Sequence, residues 1–147
     1  MSSMLSEDME ITVAITAATG VAGTTDIEGA EVDMTGFQGC LMLVRMGAIT
    51  GSAVTSLKAQ QDTATGMASA ADLEGSGITV AADDDNKYFA IDIVNPKETF
   101  LRVYVDRATQ NAVVEHAWYI QYRAGQRPTT TGLEELIKLN SPAEGTA

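Results

Sequence analysis

The side chains best suited to chemistry in this sequence are few and scattered. There is one histidine, His116, and one cysteine, Cys40. His116 follows Glu115 and stands two residues before Trp118, the only tryptophan. A general base needs an acid partner within hydrogen-bond reach. The acids offered for that role are Glu115, adjacent in sequence, and Asp92 and Asp106, on or beside other strands. A mid-strand histidine sharing strand parity with a tryptophan reads as a structural or interface side chain. Cys40 opens an apolar run with no histidine near it, and a buried free thiol behaves as a small hydrophobe. Asp83-Asp84-Asp85-Asn86 offers the hard oxygen donors that Ca²⁺ prefers. It lacks the spaced ligands, glycine and closing glutamate of an EF-hand loop, so a solvated turn is the simpler reading. Gly36 and Gly39 precede a strand rather than joining a strand to a helix, and no phosphate cradle is implied. No G-x-S-x-G elbow occurs. The sequence assigns no catalytic, cofactor-binding or metal residue, and an enzyme is not expected.

Composition narrows the field further. A chain of 147 residues suits one domain. Ala, Thr and Gly make up 51 residues, whereas Leu, Ile, Val and Phe make up 32. A core is feasible but built from small side chains, so association between copies would help to stabilise it. The formal net charge is −11, which argues against a nucleic-acid partner, since phosphate-backbone binding needs a basic face. No apolar run approaches the roughly 20 residues that cross a bilayer. Residues 1–10 are acidic and lack the basic start and apolar stretch of a signal peptide. A protein made and used without export, with no membrane partner, is expected.

The elements that must position these residues are strands. Ile11, Val13 and Ile15 alternate with smaller residues and share a face by period-2 geometry. A short extended piece covers 26–33. Cys40–Met46 is apolar at nearly every position, the pattern of a central strand. Thr55–Gln61, Ile78–Ala81, Tyr88–Val94, Phe100–Val105 and Val113–Tyr122 read as further strands, and Ala70–Glu74 as one helical turn. Seven or eight strands with turn signals every 8–15 residues describe an all-β fold, a β-sandwich or β-barrel of jelly-roll-like type. The expected boundaries are an N-terminal arm over 1–10, a β domain over 11–122 and a C-terminal extension over 123–147.

That extension differs in character. Thr131-Gly-Leu-Glu134 fits a capping box, and Leu133, Leu136 and Ile137 then share a helical face. The sequence therefore predicts a short helix near 131–139, marginal alone and in need of a docking surface. Residues 141–147 should be loose. Residues 1–50 and 51–100 carry net charges of −6 and −5, whereas residues 101–147 are neutral, with Arg123 and Arg127 at the entrance to the tail. An acidic body with a neutral, arginine-bearing tail suits steered assembly on a charged scaffold. Arg123, Arg127, Leu133, Leu136 and Ile137 are the candidate interface residues for an oligomer or a larger assembly.

The order of these features resembles the capsid decoration, or cement, proteins of tailed bacteriophages. The resemblance runs from about Val32 to Pro128. It rests on Asp33-Met-Thr-Gly-Phe37, the apolar strand Cys40–Met46, Gly47-Ala-Ile-Thr-Gly51, Ser56–Asp62, Ala71-Asp-Leu-Glu-Gly75, Asn86-Lys-Tyr88, Phe100–Val105, the Trp118 strand and Arg127-Pro128. It implies a compact β protein, often a homotrimer, seated on the outside of a capsid in the virion. Its partner would be the major capsid protein, whose neighbouring subunits it clamps, and no cofactor is implied. Extended termini reach across subunit boundaries in such proteins, and here residues 1–10 and 123–147 match that role. The predicted tail helix departs from the pattern. Two alternatives stay open: a head-completion, tail-tube or fibre-associated β protein of the virion, and a ligand-binding β module.

Overall fold

The computed structural model describes residues 4–129, 131–140 and 143–145. Its strands are β1 (Glu10–Ile15), β2 (Ile27–Glu28), β3 (Val32–Asp33), β4 (Phe37–Ile49), β5 (Val54–Asp62), β6 (Ala71–Asp72), β7 (Ile78–Val80), β8 (Tyr88–Val94), β9 (Phe100–Ala108) and β10 (Ala112–Ala124). A single 3-10 turn, Leu5–Glu7, precedes them. Among the described residues no helix is long and apolar enough to cross a membrane.

Every pairing between these strands is antiparallel. One sheet, here sheet A, has the order β1-β10-β4-β8. In the other, sheet B, β9 and β5 lie side by side, flanked on the β9 side by β2 and β3 and on the β5 side by β6 and β7. β2 and β3 pair successive parts of β9, at Ile27↔Val105 and Val32↔Leu101. β6 and β7 likewise share β5, at Gln60↔Asp72 and Leu57↔Ile78. Counting each broken strand once leaves two four-stranded sheets, and the chain passes between them in jelly-roll order. The sequence expectation of an all-β sandwich with jelly-roll character holds.

Local sequence explains the central strands. In β4, Cys40, Met42, Val44 and Met46 point inward and are fully buried. They meet Leu57 and Ala59 of β5 and Leu101, Val103 and Val105 of β9. Phe89, Ile91 and Ile93 of β8 close one side. The core is thus mostly Val, Ala and Met, as the composition requires. Two polar side chains tie it together. The Tyr119 hydroxyl crosses from sheet A to accept the Val103 N–H at 2.9 Å and donates to the Ala30 carbonyl at 2.6 Å. Arg107, 7% exposed, reaches back under the loop after β1. It donates to the carbonyls of Thr25 (2.6 Å), Val21 (2.8 Å) and Ala112 (2.7 Å).

Two local expectations fail. Ala71–Asp72 is a short strand on β5 rather than a helical turn, because Asp72 is held in place by Gln60 and Lys58. Residues 131–139 form no helix. Thr131, the expected N-cap, has φ 61° and Gly132 has φ 72°, which no helix start accepts. The backbone there is already engaged, since Ile11 N–H donates to the Thr131 carbonyl at 2.8 Å. Local capping signals over nine residues are too weak to outweigh such pairing. Of the loose end expected at 141–147, only 143–145 fall within the described residues.

Candidate interaction surface

The two sheets turn very different faces to solvent. On sheet B the outward side chains form a polar lattice. Arg102 donates to Gln60 at 2.7 Å and to Glu28 at 3.1 Å. Lys58 pairs with Asp72 at 3.1 Å and lies 3.8 Å from Asp106. Its ammonium sits 4.8 Å from the centre of the Tyr104 ring, whose hydroxyl donates to Asp26. The hydrogen bond to Asp72, first, and the nearby carboxylate of Asp106 hold the Lys58 ammonium above its ordinary pKa. This face is satisfied within itself, as expected of a solvated surface.

Sheet A is the reverse. Its outward residues fall in register as Val13–Trp118–Leu43–Ala90 and Ile11–Ile120–Leu41–Asp92 across β1, β10, β4 and β8. A solvent-facing side of an antiparallel sheet normally reads polar. Here Val13, Tyr88 and Val94 are exposed, and Leu41, Leu43, Trp118 and Ile120 are only half-buried. A bulge sets this arrangement. The β10 register shifts between Val114 and His116, so Val114 enters the core and His116 points outward beside Trp118. The two rings stack at 4.6 Å.

The charges at the rim are matched locally. Arg45 donates to Glu115 at 2.8 Å, and its guanidinium lies 4.8 Å from the centre of the Tyr88 ring. Tyr122 lies flat over Gly39, where any Cβ would sit 2.1 Å from its ring, and donates to Asp92. Burial, first, and then that carboxylate push the Tyr122 hydroxyl up to about 12. The acids near His116 in sequence thus have other partners. Glu115 holds Arg45, Asp92 holds Tyr122, and Asp106 lies on sheet B with Ser56 and Lys58. Among the described residues the buried Nε2 of His116 has no hydrogen-bond partner, and none of these acids forms an acid–base pair with it.

The other candidate residues are placed as follows. Asp84 accepts from the Ala81 N–H and pairs with Lys87, and Asp85 accepts from the Ile49 N–H. The acidic turn is therefore built from its own carboxylates. Among the described residues no group of three or more metal-ligating side chains is gathered. Cys40 is fully buried, and burial, aided by Asp92, raises its thiol to about 12. A maleimide should leave folded protein unmodified at pH 8, with labelling that tracks denaturant-induced unfolding. Rapid labelling of native protein would show that the thiol is accessible.

The two termini are strapped together at one end of the sandwich. Asp8 accepts from the Ala124 N–H and from Arg127 Nε, both at 2.8 Å. Thr129 N–H donates to the Glu7 carbonyl and its hydroxyl to the Met9 carbonyl. Arg127, one of the candidate interface residues, joins this strap through Asp8 while staying exposed, as Arg123 is. Beyond Gly132 the chain turns back, and Lys138 pairs with Glu7 at 3.3 Å. This leaves Leu133, Leu136, Ile137 and Leu139 between 41% and 73% exposed. Leu5 on the arm is exposed as well.

Sequence reasoning singled out the tail residues, which are exposed, and did not single out the outward face of sheet A. Its signal was present in Leu41 and Leu43, which make β4 apolar on both sides. No protein-family model and no curated protein matches this chain.

Proposed function

We propose that this protein is a non-enzymatic structural protein of a virion, a decoration or cement protein. In this role it binds the outer surface of a phage capsid, as a homo-oligomer, and stabilises contacts between major capsid subunits. The observation that carries this reading is the contrast between the two outer faces. One is a self-satisfied polar lattice, and the other is a largely apolar sheet face, half-buried along its central strands, interrupted by Asp92 and bordered by strapped termini with exposed leucines. Contiguous apolar surface of this kind marks protein–protein contact. Cementing requires area repeated by symmetry rather than a reactive centre, since many modest contacts add up to high avidity. The jelly roll is compatible with this role, although the same fold also serves lectins and cupins. The specific partner rests on the resemblance running from Val32 to Pro128.

Counting this chain in purified particles tests the proposal. Hundreds of copies, in simple ratio to the major shell protein, are expected. Particles lacking it should still assemble but lose heat tolerance. Six to a dozen copies would instead indicate a connector or tail component, and none would favour a ligand-binding module.

A further inference from the structure

The edge of a sheet offers unpaired backbone donors and acceptors, and folded chains shorten, bend, charge or cover theirs. Among the described residues, three of the four edges are managed in this way. Sheet B ends in fragments of two or three residues, β2 and β3 on one side and β6 and β7 on the other. On sheet A, β1 is broken by a bulge between Val13 and Ile15. Part of its backbone is also engaged elsewhere, since Ile11 N–H donates to the Thr131 carbonyl and the Ala14 carbonyl accepts from Ala30 N–H. β8 is the exception. Its seven residues pair with β4 without a register shift, include no Pro or Lys, and carry one charge, Asp92.

The β4 ladder fixes which groups of β8 are free. Met46 N–H donates to the Lys87 carbonyl, and Asn95 N–H donates to the Gln38 carbonyl. Bonded and non-bonded positions alternate in an antiparallel pair, so the odd-numbered residues from Lys87 to Asn95 bond to β4. The N–H and C=O groups of Tyr88, Ala90, Asp92 and Val94 therefore point away from it. Among the described residues none of them has a hydrogen-bond partner.

We propose that β8 pairs with β8 of a second copy, antiparallel and centred on Ile91, joining two A sheets into one. The strand is its own complement in that register. All four free residues fall at bonded positions, giving a ladder of about eight hydrogen bonds. Tyr88, 60% exposed, meets Val94 of the second copy, 50% exposed, at both ends of the ladder. Such aromatic–β-branched pairs are favourable across strands. Asp92 meets Ala90, so no like charges lie directly opposite. On the inner side Phe89 meets Ile93. Both are partly buried against the core, beside a groove between the sheets lined by Leu73, Gly75, Ser76, Ile91 and Ile93, which the incoming Phe89 enters. Sliding the pair one way sets Asp92 against Asp92, and sliding it the other way carries Val94 past the end of the strand. A peptide of unrelated sequence has no reason to match this pattern, whereas a second copy matches it by symmetry. The contact is isologous and closes at two copies. It does not depend on the capsid reading.

The test is sedimentation velocity of the full chain over a concentration series, with amide exchange followed by NMR. Wild type should pass from 15.5 kDa to twice that mass. As it does, the amides of Tyr88, Ala90, Asp92 and Val94 should slow, whereas those of Phe89, Ile91 and Ile93, already held by β4, should change little. Ala90→Pro removes only an N–H that faces outward, a position where an edge strand accepts proline. It should fold normally by circular dichroism and weaken association roughly tenfold or more. Ala90→Asp, set against Asp92, should weaken it too, whereas Ala90→Lys should strengthen it. The proposal is overturned if wild type stays monomeric at its highest soluble concentration. It is equally overturned if the four amides exchange at rates independent of mass, or if the aspartate and lysine variants shift association in the same direction. Hundreds of copies on particles combined with a monomer in solution would leave the capsid reading intact and remove this one.

Discussion

Arg107→Met should lower the stability of the fold by about 3–5 kcal/mol, the largest single-residue effect expected in this chain. Its guanidinium satisfies three backbone carbonyls from two directions, Val21 and Thr25 in the loop after β1 and Ala112 at the start of β10. Leaving a buried acceptor unpaired costs about 1–3 kcal/mol each. Part of that loss is offset because a buried cation no longer has to be desolvated. Burial is also what lowers the pKa of Arg107, so the residue is strained as an ion and held by its acceptors. Thermal denaturation should fall by on the order of 10 °C, given about 2–4 °C per kcal/mol for domains of this size. The loop should loosen first, with faster exchange of the Ala112 and Val114 amides, which donate to Gly23 and Gly20. Arg107→Lys should recover less than half of the loss, since one ammonium cannot serve three acceptors arranged for a planar fork. A midpoint within 2 °C of wild type for the methionine variant, roughly the effect of 1 kcal/mol or less, would sink this account.

Tyr119→Phe should cost about 2–4 kcal/mol while leaving the shape of the core almost unchanged. The ring stays, but the Val103 N–H and the Ala30 carbonyl both lose their partner. Gly29 packs so tightly there that an added Cβ would lie 2.9 Å from the Tyr119 hydroxyl oxygen, which leaves little room for a replacement water. Because the hydroxyl links the two sheets, the loss should appear as cooperative destabilisation in urea with an unchanged m-value. A drop below 0.5 kcal/mol, less than the usual net worth of one hydrogen bond at about 1 kcal/mol, would mean that water or a backbone shift satisfies both groups.

Most of the strands were legible because period-2 alternation over Tyr88–Val94 and Phe100–Val105 leaves no helical alternative. Their order was not legible. β1 beside β10 and β2 beside β9 are pairings between distant segments, set by which faces can share a core. The tail shows the opposite error. Thr131 and Glu134 make a valid capping signal, but such signals describe a free peptide. Here the backbone at Thr131 is claimed by Ile11, 120 positions earlier in the chain. The apolar run Cys40–Met46 was read correctly as the centre of a sheet. Being apolar on both sides can mean burial under two layers of one chain, or one layer of its own and one from elsewhere. Sequence alone does not separate these cases. His116 and Trp118 were placed together by parity, whereas the bulge that turns both outward had no signal in the residue types.

The hairpin tips 50–53 and 109–111 sit at the end of the sandwich opposite the strapped termini, since Ile49 pairs with Ala112 there while Phe37 pairs with Ala124 at the other end. Gly51 and Ser52 are exposed, and Gly51 has open space around its Cα. Small, polar, exposed loop tips are where chains accept insertions. If the termini moor this protein to a shell, a foreign peptide spliced between Gly51 and Ser52 would be held up at the distal pole. The molecule would then serve as a display platform without disturbing the end that does the holding.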